Sequence, residues 1–136
     1  MLTREQLAEA IEGERDAVAY YEHAKTLTGD EKHRKTLDGI IKDEQKHLAK
    51  FSELYRRKFG GQVEGSPAMP EVHEFNAALR MAVSDELDAY EFYRDIYMDC
   101  TSEQVRVPFF EAMTDENEHA IRLNLMYTEE IEKRTV

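Results

Sequence analysis

Apolar side chains recur three and four residues apart along four stretches of this chain, the spacing that lays one buried stripe along an α-helix. The first stretch reads Leu7, Ile11, Val18 and Tyr21. The second reads Leu37, Ile40, Ile41, Leu48, Phe51, Leu54 and Tyr55. Leu79, Val83, Tyr90 and Tyr93 mark the third, and Phe109, Met113, Ala120, Leu123 and Met126 the fourth. Boundary signals frame each stretch. Thr3-x-x-Gln6 reads as a capping box that opens the first helix, with Gly29 as a plausible stop. Asp30 suits the N-cap of a second helix running to Gly60-Gly61. Pro70-Glu71 opens a third, since proline fits the first helical position, and this helix ends near Cys100. Thr101-x-x-Gln104 is a second capping box, and Pro108 should kink the last helix or loosen its first turn.

Two of the three connections are short. The segment from Gly60 to about Met69 is longer and rich in Gly and Pro. Its roughly ten to twelve residues reach ~33–40 Å when extended, close to the ~36 Å of a 24-residue helix. It can therefore cross the bundle from end to end and leave helices two and three parallel. The predicted architecture is all-α: one domain over residues 1–136, with hairpin one at 3–60, a crossover at 60–71 and hairpin two at 71–133.

One gapless register relates the two hairpins. At an offset of 72 residues Leu7 pairs with Leu79, Ala10 with Ala82, Ile11 with Val83, Ala17 with Ala89 and Tyr21 with Tyr93. The second helices follow, Leu37 with Phe109, Phe51 with Leu123, Leu54 with Met126 and Tyr55 with Tyr127. Such a repeat fixes the architecture before other details are considered.

Polar residues that break the apolar stripes obey the same offset. Glu44 and His47 form a Glu-x-x-His motif inside the second stripe, and Glu116 and His119 form its copy inside the fourth. Thirty residues before each motif, Glu14 and Glu86 take core positions in helices one and three. An unpaired buried carboxylate costs several kcal/mol, so four at one level need compensation. Two divalent ions would match their charge, and this set is the ligand inventory of a dinuclear site in a bundle. Tyr21 and Tyr93, seven residues after Glu14 and Glu86, sit two turns along the same faces. They are candidates to hydrogen-bond a ligand carboxylate or supply an electron, and as buried phenols they need a partner in any case. Asp43 and Asp115 precede each motif glutamate; they either orient the imidazoles or stand solvated on the helix flank. His23, His33 and His73 have no such partners and are expected in solvent. Tyr55 and Tyr127 are expected to pack, and Cys100 to be an inert core thiol.

Composition narrows the function classes. With 29 acidic against 18 basic residues the formal charge is −11, which opposes nucleic-acid binding. No apolar run approaches the ~20 residues that cross a bilayer, and the N-terminus lacks a signal-peptide layout. The single cysteine excludes an internal disulfide and a Cys-x-x-Cys motif. A cytoplasmic location is the expectation, with a homodimer or larger homo-oligomer as the assembly. No docking tail is evident after Ile131-Glu-Lys-Arg-Thr-Val136.

The segments Glu12-Gly-Glu14-Arg-Asp-Ala-Val-Ala-Tyr-Tyr21, Asp43-Glu-Gln-Lys-His47, Asp85-Glu86-Leu-Asp-Ala-Tyr-Glu-Phe-Tyr93 and Asp115-Glu-Asn-Glu-His119 resemble the ferritin-like superfamily of di-iron carboxylate proteins, most closely its rubrerythrin branch. The resemblance extends over essentially the whole chain. It implies a ferritin-like antiparallel four-helix bundle holding two iron ions, with manganese as the alternative metal. Glu44 and Glu116 would bridge the ions, Glu14 and His47 would complete one, and Glu86 and His119 the other. Rubrerythrins proper add a rubredoxin-like domain with four iron-binding cysteines, which one cysteine cannot build. They also carry a further glutamate one turn after the third-helix ligand, where this chain has Ala89. The activity implied is reduction of peroxide or dioxygen with an external electron donor, rubredoxin-like or a flavoprotein. The alternative is a ferroxidase or iron-handling protein of ferritin type.

Overall fold

The computed structural model describes residues 1–134; Thr135 and Val136, the end of the tail noted above, lie outside the described residues. The described residues form four helices: α1 (Arg4–Lys25), α2 (Glu31–Phe59), α3 (Phe75–Asp99) and α4 (Glu103–Arg134). Thr3 caps α1 in the predicted capping box, its hydroxyl accepting from the Gln6 amide while the Gln6 side chain accepts from the Thr3 amide. Asp30 caps α2 by accepting from the Lys32 and His33 amides. At the far end of α2, Gly60 and Gly61 take positive φ of 78° and 70°, a conformation that disfavours a Cβ.

Three boundaries differ from the sequence expectation. α1 stops at Lys25 with Thr26 as its cap, and Gly29 is outside the left-handed region, so it is not the C′ residue. α3 begins four residues after Glu71, because the Glu74 side chain accepts from the Asn76 and Ala77 amides and acts as the N-cap. The predicted Thr101–Gln104 box is not what opens α4. There the Ser102 carbonyl accepts from both Val105 (3.1 Å) and Arg106 (2.8 Å), tightening the first turn. α4 continues unbroken through Pro108. The carbonyl that loses its donor there belongs to Gln104, which is exposed and open to water.

Pairwise contacts fix the helix directions. Glu14 meets Tyr93, and Tyr20 donates to the Ala78 carbonyl, so α1 and α3 run antiparallel. Lys50–Glu111 and Lys32–Glu129 show the same for α2 and α4. With α1–α2 and α3–α4 joined as hairpins, α2 and α3 are parallel. The connection between them is the crossover, and it is laid along α1. Arg15 donates to the Val63 (2.8 Å) and Gly65 (3.0 Å) carbonyls, Asp16 accepts from the Ala68 amide, and the His23 ring meets the Val72 carbonyl. The crossover is longer than predicted because α3 starts late.

The bundle core divides into two apolar clusters. One gathers Leu7, Ile11, Phe51, Tyr93, Ile96, Val105 and Phe109. The other gathers Tyr21, Leu37, Ile40, Phe75, Leu79, Leu123 and Met126. Tyr55 and Tyr127 pack at their margins as expected, and Cys100 is buried where α3 ends. Of the three histidines expected in solvent, only His73 is exposed. His23 is half-buried, and His33 is 1% exposed, stacked on Phe75 with its Nε2 3.2 Å from Glu130. The sequence held an unused signal for this burial: the residue 72 positions on from His33 is Val105, and His33 stands one turn before Leu37.

Phe51 is fully buried, stacked on Phe109 at 4.6 Å and edge-on to Tyr93 at 5.4 Å. Phe51→Ala should therefore cost about 3–5 kcal/mol in urea unfolding; a loss below about 1 kcal/mol would mean that this cluster does not hold the bundle together.

Candidate metal centre

Between the two apolar clusters lies a polar layer built once from each helix. α1 supplies Glu14, α2 Glu44 and His47, α3 Glu86, and α4 Glu116 and His119. All six are at most 3% exposed. The helical spacing explains the placement: within each stripe these positions continue the i, i+3, i+4, i+7 pattern of the flanking apolar residues, so the side chains cannot turn outward while their neighbours pack.

The geometry has the twofold character of the repeat. His47 Nδ1 lies 3.4 Å from Glu14 Oε1, 3.2 Å from Glu44 Oε1 and 3.8 Å from Glu116 Oε1. His119 Nδ1 lies 3.0 Å from Glu86 Oε2, 3.1 Å from Glu116 Oε1 and 3.6 Å from Glu44 Oε1. Each imidazole thus faces its own terminal glutamate and the same two central ones. The ligand atoms form two overlapping groups, Glu14–Glu44–His47–Glu116 and Glu44–Glu86–Glu116–His119, each within 4.8 Å. Glu44 and Glu116 belong to both.

The outer edges of the rings are tied across the bundle. His47 Nε2–H donates to Asp115 Oδ2 at 2.7 Å, and His119 Nε2–H donates to Asp43 Oδ2 at 2.8 Å. Of the two roles open to these aspartates, orientation is the one the contacts fit, each reaching from the opposite helix. A carboxylate on Nε2–H keeps the Nδ1 lone pair available to a ligand on the inner side. Tyr93 donates from its hydroxyl to Glu14 Oε2 at 2.5 Å. Tyr21 is its repeat counterpart, buried at 3% exposure and close enough to Glu86 to feel its charge.

Without a cation this layer is electrostatically strained. Burial, then the charge of Glu14, pushes Glu44 and Glu116 well above the ordinary carboxylate range. Burial also raises Glu86, against the opposing hydrogen bond from His119. Burial disfavours charge on the imidazoles, but the surrounding carboxylates override it and lift His47 to about 10 and His119 to about 9. The phenols of Tyr21 and Tyr93 are held neutral, pushed far up by burial and then by Glu86 and Glu14 respectively. Among the described residues, Glu14 Oε1, both Glu44 oxygens, Glu116 Oε1 and His47 Nδ1 are buried without a hydrogen-bond partner. Orphaned polar atoms are costly in a core, and these four carboxylate oxygens and one imidazole nitrogen in one layer fit a pair of hard to intermediate divalent ions.

Among the described residues two other carboxylate–histidine groups come equally close together, Asp30–His33–Glu130 and His47–Glu111–Asp115. Both already hold an ammonium. Lys133 Nζ sits 3.0 Å from Asp30 and 2.7 Å from Glu130, and Lys50 Nζ sits 2.9 Å from Glu111. A cavity of about 270 Å³ opens the central layer to the outside between α1 and α3. Its floor is Glu14, Tyr21, Glu44, Glu86, Tyr93 and Glu116. Gly13, Asp16, Ala17, Tyr20, Asp85 and Ala89 form its walls. Sequence reading alone did not single out these wall residues, except Ala89; the small side chains Ala17 and Ala89, paired by the repeat, were the available signal.

A comparison with curated proteins links the chain to YhjR of Bacillus subtilis (strain 168), an uncharacterized protein. The two are 31% identical over 120 residues, covering 85% of this chain and 79% of YhjR. This chain belongs to the YhjR family. No protein-family model matches it. Among solved structures, a hypothetical protein of Pyrococcus furiosus superposes with a TM-score of 0.81 at 23% identity, over 92% of this chain and 87% of that one. The conserved hypothetical protein Rv2844 of Mycobacterium tuberculosis gives 0.77 at 18% identity, over 90% and 94%. At these identities the likeness establishes the shared bundle. No helix among the described residues is long and apolar enough to cross a membrane.

The pKa shifts dictate a pH dependence. Glu44, Glu86, Glu116, His47 and His119 all bind protons more tightly folded than unfolded, so the stability they contribute is fully present below their unfolded values. It is lost as pH rises through the folded ones. The metal-free protein should melt at progressively lower temperature from about pH 5 to pH 9, while added Mn(II) should raise the melting point more at each higher pH. Calorimetric scans across that range check this, and a flat apo profile contradicts it. Asp43→Asn or Asp115→Asn should weaken metal affinity by about 10–100-fold, measured by competition with a chelator, with the helix content unchanged.

Proposed function

We propose that this chain is a non-haem di-iron oxidoreductase of rubrerythrin type, reducing peroxide or dioxygen with electrons from an external donor. One observation carries the reading: two overlapping four-residue ligand groups share Glu44 and Glu116 beneath a cavity that admits a molecule the size of peroxide. Mixed carboxylate and imidazole donors suit iron or manganese. Two iron ions would supply one electron each, enough with two protons to turn peroxide into two waters, and the donor, rubredoxin-like or a flavoprotein, would return those electrons.

The chain's own residues divide the remaining work. Glu44 and Glu116 would be shared by the two ions, because both belong to each group. Glu14 with His47, and Glu86 with His119, would complete the two half-sites. Asp115 and Asp43 hold the imidazoles by Nε2–H and fix which nitrogen faces inward. Tyr93 keeps a proton on a phenol bonded to Glu14, positioned at the cavity floor next to any molecule that enters. Tyr21 takes the equivalent place beside Glu86. Apolar clusters pack above and below the layer, and the cavity between α1 and α3 reaches its carboxylates.

A ferroxidase or iron-handling role is the second reading, and the cavity wall favours it. Asp16 and Asp85 flank the way in, on a chain of net charge −11, an arrangement that draws a hydrated cation toward the carboxylates. In that case Fe(II) is the substrate and the oxidised ion leaves the site.

Anaerobic Fe(II) loading should reach two equivalents per chain. Rapid mixing with hydrogen peroxide or dioxygen should then oxidise the bound iron faster than free Fe(II). Sustained turnover on supplying a reductant supports the oxidoreductase; release of Fe(III) with repeated Fe(II) uptake supports the ferroxidase. Oxidation no faster than in buffer defeats both readings. His47→Ala or His119→Ala should abolish the fast phase in a folded bundle. Tyr93→Phe should slow it by about tenfold with metal retained, the effect of losing one hydrogen bond to a charged group worth about 1.5 kcal/mol.

A further inference from the structure

The outer face of α4 carries apolar side chains that the bundle does not use. Val107 is 60% exposed, Phe110 49%, Ile121 63% and Leu125 59%. At 3.6 residues per turn these four, with Thr114, fall within about 40° of one line along the helix. That line is directly opposite the buried one through Phe109, Ala112, Glu116 and Leu123. Scattered exposed apolar residues are ordinary, but a stripe about 27 Å long on one helix is an interaction surface.

The two halves of the stripe are unlike and fit each other. Around Val107 and Phe110 the surface is a groove of about 520 Å³, walled by Tyr97 and Arg106 and running to Thr114. Ile121 and Leu125, at the other end, stand out from the helix. Rotating one copy of α4 about an axis perpendicular to it near residue 116 sets Val107 opposite Leu125 and Phe110 opposite Ile121 of the second copy. It brings Glu111 opposite Arg122 as well, and all three pairs keep to the same side of the helix, as a twofold axis requires. Arg122 uses only its Nε on Glu118 (2.9 Å), so its terminal nitrogens can join Lys50 on Glu111 of the second copy. In this register Arg106, whose buried Nε has no hydrogen-bond partner, comes beside Asn124 and Thr128 of the second copy. A heterologous partner or a lipid surface would not need the stripe to be complementary to itself, and an anionic membrane would be repelled by a charge of −11.

We propose that the outer face of α4 is the interface of a homodimer in which two copies of this helix pack antiparallel about a twofold axis near residue 116. The metal centre faces the bundle interior and the cavity between α1 and α3, so both sites remain accessible in the dimer.

Sedimentation equilibrium of the full chain at micromolar concentrations should give twice the 15.9 kDa chain mass. Ile121→Glu with Leu125→Glu should give the single-chain mass, with helical circular dichroism and metal stoichiometry unchanged. For a test that leaves the face apolar, a chain carrying both Val107→Cys and Leu125→Cys should form a covalent dimer under mild oxidation, while neither single variant does so. A native chain of single mass, or a dimer that survives the two glutamates, overturns the proposal. Cross-linking of Val107→Cys alone would mean parallel packing and overturns it too.

Discussion

Four glutamates placed at one level of a helical core repel each other and lose their water, and the rest of this structure is arranged around that cost. Their charge cannot be spread into solvent, because the helices that carry them bury the residues on either side along the same faces. The molecule meets the constraint with the two imidazoles inside the layer, with aspartates on the outer edge of each ring, and with a phenol on Glu14. What those groups leave unsatisfied is a set of buried oxygens pointing at one another, the electrostatic description of a cation site. Apolar clusters at both ends hold the layer rigid, so the orphaned atoms cannot relax apart.

The twofold repeat explains why one layer offers two overlapping ligand groups. Each hairpin brings one terminal glutamate and one Glu-x-x-His, and when the hairpins pair, their central glutamates meet. The cross-bundle bonds His47–Asp115 and His119–Asp43 join α2 to α4 at the height of the centre. They couple the orientation of each imidazole on one hairpin to a carboxylate on the other. A layer of this kind assembles only when both hairpins dock, which ties it to completion of the fold.

The repeat pairs Ala17 with Ala89, and these small residues wall the cavity between α1 and α3 that reaches the layer. The symmetry breaks elsewhere: hairpin one has His33 where hairpin two has Val105. There the buried imidazole joins Asp30, Glu130 and Lys133 and fastens the start of α2 to the end of α4. The outer apolar stripe of α4 has no parallel along α2, whose outward residues are mostly charged.

By itself the sequence determined the number of helices, the pairing of hairpins, the crossover and the six residues of the polar layer. Helical periodicity and a fixed offset are local or translational properties, and both can be read along a chain without coordinates. The N-caps at Thr3 and Asp30 were legible for the same reason, since a cap is a contact over two or three residues. Three-dimensional packing decided what depends on neighbours distant in sequence. Only there do Asp43 and Asp115 prove to be held by imidazoles of the opposite helix rather than standing free in solvent, and Tyr93 to choose Glu14, seventy-nine residues away. The start of α3 moved for a related reason: the Glu74 side chain supplies its cap, where proline alone suggested an earlier one. The cavity likewise exists only as the gap between two helices that touch little, a property of their separation that no single stretch of residues encodes.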